Sequence, residues 1–290
     1  MGEFFSLLTA LIWAGAVILL KRSGESVPPF ALNLFRVVVS TALLLPTLAL
    51  CGRMRWPQGT GRDVLVLFAS GIIAIAVSDT LFHMSLNRVG AGISAVVDCL
   101  YAPLTVLLAA LVLGERLAPR QLLGMALVIA GVLAAASHAP PPGVAARQIY
   151  VGVALGVLAM AALALGIVIA KPVLDRAPVL WATAMRQIGC LCVMVPAALL
   201  SRRRREFWGV FRPAPAWRFS LPATVLGSYL ALICWIAGMK YAKVGVAAIL
   251  NQSSTICVLV LAAVFLKEPF TRRKLAASAV AMAGILLVML

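Results

Sequence analysis

Charged side chains are scarce in this chain of 290 residues. Only 12% are Asp, Glu, Lys or Arg, where soluble globular proteins carry about 25%. Acidic residues are the rarer sign, nine against 25 basic, and the two histidines are His83 and His138. No metal centre can be read from so few ligands. The sequence also lacks H-E-x-x-H, G-x-S-x-G and a phosphate-cradling glycine loop with lysine, which leaves a membrane-embedded enzyme the weakest reading. The six cysteines (Cys51, Cys99, Cys190, Cys192, Cys234 and Cys257) fall within or at the end of apolar stretches. None has metal-ligand spacing, and Cys190 and Cys192 do not share a helix face. They read as small membrane hydrophobes. No cofactor is expected.

What the chain has instead is apolar surface. Hydrophobic residues make up 63% of it, more than a water-soluble domain of this size can bury. It reads as an all-α integral membrane protein, multi-pass in a cell membrane, with a bacterial inner membrane as the expected location. The net charge of +16 would suggest nucleic acid as the partner of a soluble chain. In a membrane chain it belongs to short loops and headgroup anchors, so the expected partners are lipids and a small-molecule substrate. The run Arg202 to Arg205 directly follows an apolar stretch, where such an anchor belongs. No oligomer is implied.

A membrane helix needs about 20 apolar residues. Stretches of that kind lie near 3–20, 30–50, 64–86, 91–113, 120–138, 149–170, 179–200, 218–240, 245–266 and 273–290. The first lacks a basic flank and a clear cleavage site, so it reads as a helix and not as a signal peptide. The expected division is a first five-helix repeat over 1–138, a proline-bearing linker over 139–148 (Pro140, Pro141 and Pro142), and a second repeat over 149–290.

The halves match in register. At an offset of 150, Gly2 meets Gly152, Lys21 meets Lys171, Arg36 meets Arg186 and Pro46 meets Pro196. Beyond the longer loop around Arg202 to Arg218 the offset becomes 153. There Gly92 meets Gly245, Asp98 meets Asn251, Glu115 meets Glu268 and Gly131 meets Gly284. Five helices per repeat is an odd number, so the second repeat must cross the membrane upside down. Inverted repeats place a substrate site near the midplane between the halves and permit alternating access. The expected fold is thus ten helices as a 5+5 inverted repeat around a central cavity.

Several motifs resemble the EamA-like branch of the drug/metabolite transporter superfamily. They are Leu11-Ile12-Trp13-Ala14-Gly15 on a first helix ending in Lys21, a second helix opening at Arg36, and Gly90-Ala91-Gly92-Ile93-Ser94-Ala95 running through Pro103. The most specific are Leu113-Gly114-Glu115-Arg116-Leu117 and Leu266-Lys267-Glu268-Pro269-Phe270, each ahead of a last helix bearing glycine. The resemblance spans the whole chain. It implies ten helices, a central cavity, cytoplasmic termini, and export of small metabolites, often amino acids. Asp79, His83 and Asp98 are not signatures of that family. The basic loops conflict over orientation: those of the first half favour an inside N-terminus, those of the second an outside one.

Ionisable residues at membrane depth cost at least about 2.5–3.5 kcal/mol on insertion scales, so each is functional or paired. Asp79 and His83, four apart in the third span, share a face within hydrogen-bonding reach, as a proton-coupling site or as a structural pair. Asp98 shares a face of the fourth span with Ser94 and Tyr101. That face suits an ammonium or polar cargo, the alternative being an ion pair of Asp98 with Arg36 or Arg186. Asn251 and Ser254 form the matching surface of the second half, beside Gln252. Arg36 and Arg186 can grip a carboxylate, snorkel or pair between helices. Trp13, Tyr229 and Trp235 are mid-span and either stack on cargo or, the readier explanation for each alone, pack between helices, whereas Trp181 and Tyr241 suit the interfacial belt. Glu115 and Glu268 read as local partners of Arg116 and Lys267, with a gate latch as the alternative. The sequence therefore points to a secondary transporter exporting small metabolites, with a lipid or lipid-linked-sugar flippase as the alternative.

Overall fold

The computed structural model describes residues 1–51, 59–113, 117–136, 146–241, 250–269 and 271–289. Among these residues there is no strand. The helices are α1 (Gly2–Ser23), α2 (Pro29–Leu50), α3 (Gly61–Gly71), α4 (Ser78–Asp98), α5 (Tyr101–Leu113), α6 (Pro119–Ala136), α7 (Ala146–Leu174), α8 (Val179–Leu200), α9 (Arg204–Gly209), α10 (Trp217–Ala223), α11 (Leu232–Tyr241), α12 (Ser254–Phe265) and α13 (Arg272–Met289). Among the described residues, six stretches are long and apolar enough to cross a membrane: Gly2–Ser23, Pro29–Leu50, Gly61–Asp98, Arg147–Leu174, Val179–Leu200 and Trp217–Gly238. Pro119–Ala135 and Leu250–Phe265 are shorter apolar helices. Glu115, Gly245 and the linker prolines Pro140 to Pro142 lie outside the described residues. The last linker residues, Ala146 to Gln148, already belong to α7.

Local chemistry explains where these helices start and bend. Pro28 and Pro178 precede α2 and α8 with extended backbone, since a residue without an N–H loses nothing at a helix start. Thr60 caps α3 reciprocally: its hydroxyl accepts from the Asp63 amide at 3.2 Å, and Asp63 accepts from the Thr60 amide at 2.9 Å. At 38 residues, Gly61–Asp98 would measure about 57 Å as one helix, well beyond a bilayer core. It breaks at Gly90, whose φ of 80° is left-handed, and the chain then runs on as a new helical segment.

Both third helices loosen into wide π-helical turns, Ile72–Val77 between α3 and α4 and Thr224–Ala231 between α10 and α11. Such turns shift the side-chain register and free carbonyls. The Asn33 amide nitrogen answers one of them, donating to the Ile75 carbonyl at 2.8 Å.

The two halves interlock by exchange. On α7, Gly152, Gly156 and Gly166 face Val89, Ser85 and Ala74 in turn, so α7 runs antiparallel to the first half's third helix. In the same way Gly227 faces Ala16 and Gly238 faces Ser6, which sets α1 antiparallel to the second half's third helix. The last helices also cross antiparallel. A Cβ at Gly124 of α6 would lie 2.5 Å from the Gly284 carbonyl of α13, and one at Gly131 would lie 2.7 Å from the Ala277 carbonyl. Only small residues permit backbones that close.

The short α9 lies between spans, as the arginine run foretells. Phe207 is buried against Phe30, with ring centroids 4.7 Å apart, while Arg202 to Arg205 stay exposed. Arg203 grips both oxygens of Glu206 at 2.6 Å, which holds that carboxyl below the usual carboxylate range.

Candidate functional site

A cavity of about 180 Å³ lies between the halves, and its walls come largely in repeat-related pairs. Ala10 stands with Met160, Trp13 with Leu163, Arg36 with Arg186, Asp79 with Leu232, Asp98 with Asn251, and Tyr101 with Ser254. The cavity therefore follows the internal repeat of the sequence. Its chemistry does not, because charge and aromatic rings come mostly from the first half.

Arg36 is 2% exposed and fully engaged. Its Nε donates to Ser228 Oγ at 2.9 Å, across to the other half. Its Nη2 lies 3.4 Å from the Asp79 carboxylate. Its Nη1 meets His83 Nε2. A guanidinium only donates, so His83 accepts at Nε2 and carries its proton on Nδ1. Asp79 and His83 therefore do not form the direct pair expected from their spacing. Arg36 stands between them, because a buried cation satisfies both acceptors at once.

Arg186 repeats half of this arrangement. Its Nε donates to Ser70 Oγ at 3.0 Å, again across to the opposite half. The residues at the Asp79 and His83 positions of its own half are Leu232 and Ile236, so no carboxylate comes with it. Among the described residues its Nη1 has no acceptor, although the side chain is 1% exposed. The Tyr101 hydroxyl is likewise buried without a partner. The Asp98 carboxylate has no ion pair or hydrogen bond among the described residues either. Only its main-chain carbonyl is used, accepting from Gln252 Nε2 at 3.2 Å. The Asn251 side chain, turned to suit its neighbours, donates to the Ser6 carbonyl at 2.9 Å and accepts from the Trp235 indole at 3.1 Å.

The profile of the EamA-like transporter family matches residues 1–137 and again 150–290. The chain belongs to that family. Among its relatives is the uncharacterized transporter YetK of Bacillus subtilis (strain 168), 22% identical over 274 residues, which are 93% of this chain and 81% of the relative. An uncharacterized transporter of Archaeoglobus fulgidus is 25% identical over 126 residues, 43% of this chain and 44% of that one. A solved crystal structure superposes with a TM-score of 0.68 at 18% identity, covering 99% of this chain and 95% of its own. That likeness speaks for the fold alone. This is a multi-pass membrane protein of a transporter family.

Within this EamA-like chain the cavity gathers most of the residues singled out from sequence: Trp13, Arg36, Asp79, Asp98, Tyr101, Arg186, Asn251 and Ser254. Besides the Asp79–His83 pairing, three expectations need correcting. Ser94 is buried one turn from Asp98, toward the Gly90 break, and does not line the cavity. Tyr229 faces away, with its hydroxyl 2.6 Å from Thr47 Oγ1, because the π-helical turn presents Gly227, Ser228 and Ala231 inward instead. Trp181 is buried in a core with Leu67 and Met185 and is no interfacial belt residue.

Sequence reading missed Gln187 and Ser228. Gln187 joins helices by accepting from Thr41 at 2.9 Å and donating to the Ser228 carbonyl at 3.1 Å. The available signal was a polar residue directly after the repeat-matched Arg186 in an apolar span.

Proposed function

We propose that this chain is a secondary transporter that moves small metabolites, amino acids or related compounds, out of the cell by alternating access. The reading takes the chain as ten spans in a 5+5 inverted repeat in a cell membrane, the bacterial inner membrane by expectation. One observation supports it most: the cavity is walled by repeat-related pairs, as expected of a site between two inverted halves that rock. The exchanged, antiparallel packing of α1, α7, α6 and α13 supports the same arrangement. The cavity volume suits a small metabolite better than the drug-sized ligands of about 300–1,000 Å³ pockets.

Of the two carboxylates on the wall, Asp79 is neutralised by Arg36, so Asp98 is the one open to exchange. A cargo ammonium and a proton compete for such a group. Binding the proton on one side releases cargo, and losing it on the other admits the next. Export can thereby draw on a proton gradient without a nucleotide.

An untargeted survey of the medium around cells expressing the chain tests this, with Asp98→Ala at equal membrane level as control. Accumulation of one amino-acid class, abolished in the variant, is the expected result. Media that do not differ from those of cells without the chain would overturn export.

A further inference from the structure

The second-half arginine stands in a place where the repeat omits its counter-ion. Arg36 and Arg186 occupy matched positions, and each sends its Nε across to a serine of the opposite half. Arg36 then finds Asp79, whereas the residue at the repeat-matched position is Leu232, also on the cavity wall. A guanidinium cannot shed its charge to escape burial. Leaving it buried without an acceptor for Nη1 is costly for stability alone, and an aspartate at the repeat-matched position would be the expected answer. A second unanswered donor, the Tyr101 hydroxyl, lines the same cavity. So does Asp98, whose carboxyl has no cation beside it among the described residues.

The geometry points to Arg186 as a binding site for a carboxylate carried by the cargo, with Tyr101 as a second donor. Resting on the transport reading above, this makes the cargo a zwitterion: its carboxylate meets Arg186 and its ammonium meets Asp98. Loading thereby gives Arg186 and Asp98 each a direct partner, as Arg36 and Asp79 already have in each other. A carboxylate suits because it accepts two parallel hydrogen bonds from a planar guanidinium.

Isothermal titration of the purified full chain in detergent tests this, with the twenty standard free amino acids, their methyl esters and the corresponding carboxylate-free amines as probes. At least one free acid binds, and its ester binds about ten- to a hundredfold more weakly, the loss of one charged hydrogen-bonded contact. Arg186→Leu weakens the acid by the same factor and leaves the amine unchanged. Leu232→Asp restores the missing counter-ion from within and abolishes acid binding while Arg186 remains, whereas Leu232→Asn does not. This second variant carries the test if Arg186→Leu does not elute as a monodisperse species.

Esters or amines that bind as well as acids, or acid binding indifferent to Arg186→Leu and Leu232→Asp, overturn the carboxylate site and leave the transport reading standing. Chloride binding with no preference of acid over ester marks an inorganic-anion site and also overturns it. Binding by none of the probes overturns it too, and the survey of the medium then decides separately whether export survives.

Discussion

Glu268 caps the helical segment that begins at Gly90. Its two carboxylate oxygens accept from the Ala91 amide at 2.7 Å and the Gly92 amide at 2.9 Å, and Lys274 Nζ lies 3.9 Å away. An acidic group at a helix start satisfies orphan amides and meets the positive end of the helix dipole. The expected local pairing with Lys267 is therefore not the main contact. Nearby, Lys21 donates to the Asn87 carbonyl at 3.2 Å and Arg22 to the Phe265 carbonyl at 2.9 Å, so one face is tied across both halves.

Gly90 itself cannot be exchanged cheaply. Its φ of 80° is hostile to side chains, and a Cβ there would lie 2.7 Å from the Glu268 carboxylate. Gly90→Ala should cost about 1–3 kcal/mol through strain and the displaced cap. Thermal unfolding in detergent measures it. A midpoint equal to that of the unaltered protein would refute the cap.

Arg36 and Asp79 provide a cleaner test of burial energetics. Removing one member of a buried pair leaves a naked charge and costs about 3–5 kcal/mol. Arg36→Leu and Asp79→Leu should each lower stability by that order, and the double variant should recover part of the loss. Additive losses across the cycle would show that the two groups do not interact.

How much of this was visible in the sequence depends on the type of signal. The repeat was legible because charged and proline residues recur in register, and Arg36 with Arg186 carried over directly to matched places on one cavity. Pairings were not legible. Spacing joined Asp79 to His83 because they are neighbours on one helix, but Arg36 comes from another helix and outcompetes that contact. Tyr229 and Ser228 exchange roles at a π-helical turn, whose altered register ordinary helical periodicity cannot anticipate. Glu268 was read locally for the same reason: its partners lie about 177 residues earlier, at a glycine whose left-handed backbone the sequence does not announce.

Glycines of α6 and α1 predict opposite outcomes on substitution. Gly124 and Gly284 face each other's carbonyls, at 2.5 and 2.6 Å from the Cβ each would carry. Gly124→Leu should cost at least about 1–3 kcal/mol by overpacking α6 against α13. Gly15 of α1 has open space where a Cβ would go, so Gly15→Ala should instead stabilise by about 0.5–1 kcal/mol through helix propensity. Equal effects at the two sites, by thermal unfolding, would contradict the packing described for α6 and α13.

In the proposed transport cycle, proton coupling would separate the two cavity carboxylates. Asp79 is held by Arg36, and protonating it would strand that guanidinium, so in this reading it serves the structure. Asp98 has no cation beside it among the described residues and is the proposed group to trade a proton for a cargo ammonium. In proteoliposomes loaded with whichever cargo the medium survey identifies, an imposed pH gradient should accelerate efflux by the unaltered protein. Asp98→Asn should abolish that acceleration. Asp79→Asn should lower stability while the folded fraction keeps its response to the gradient. The reverse pattern, with coupling lost in Asp79→Asn and kept in Asp98→Asn, would move the proton back to the Asp79, Arg36 and His83 cluster and leave Asp98 as a cargo contact only.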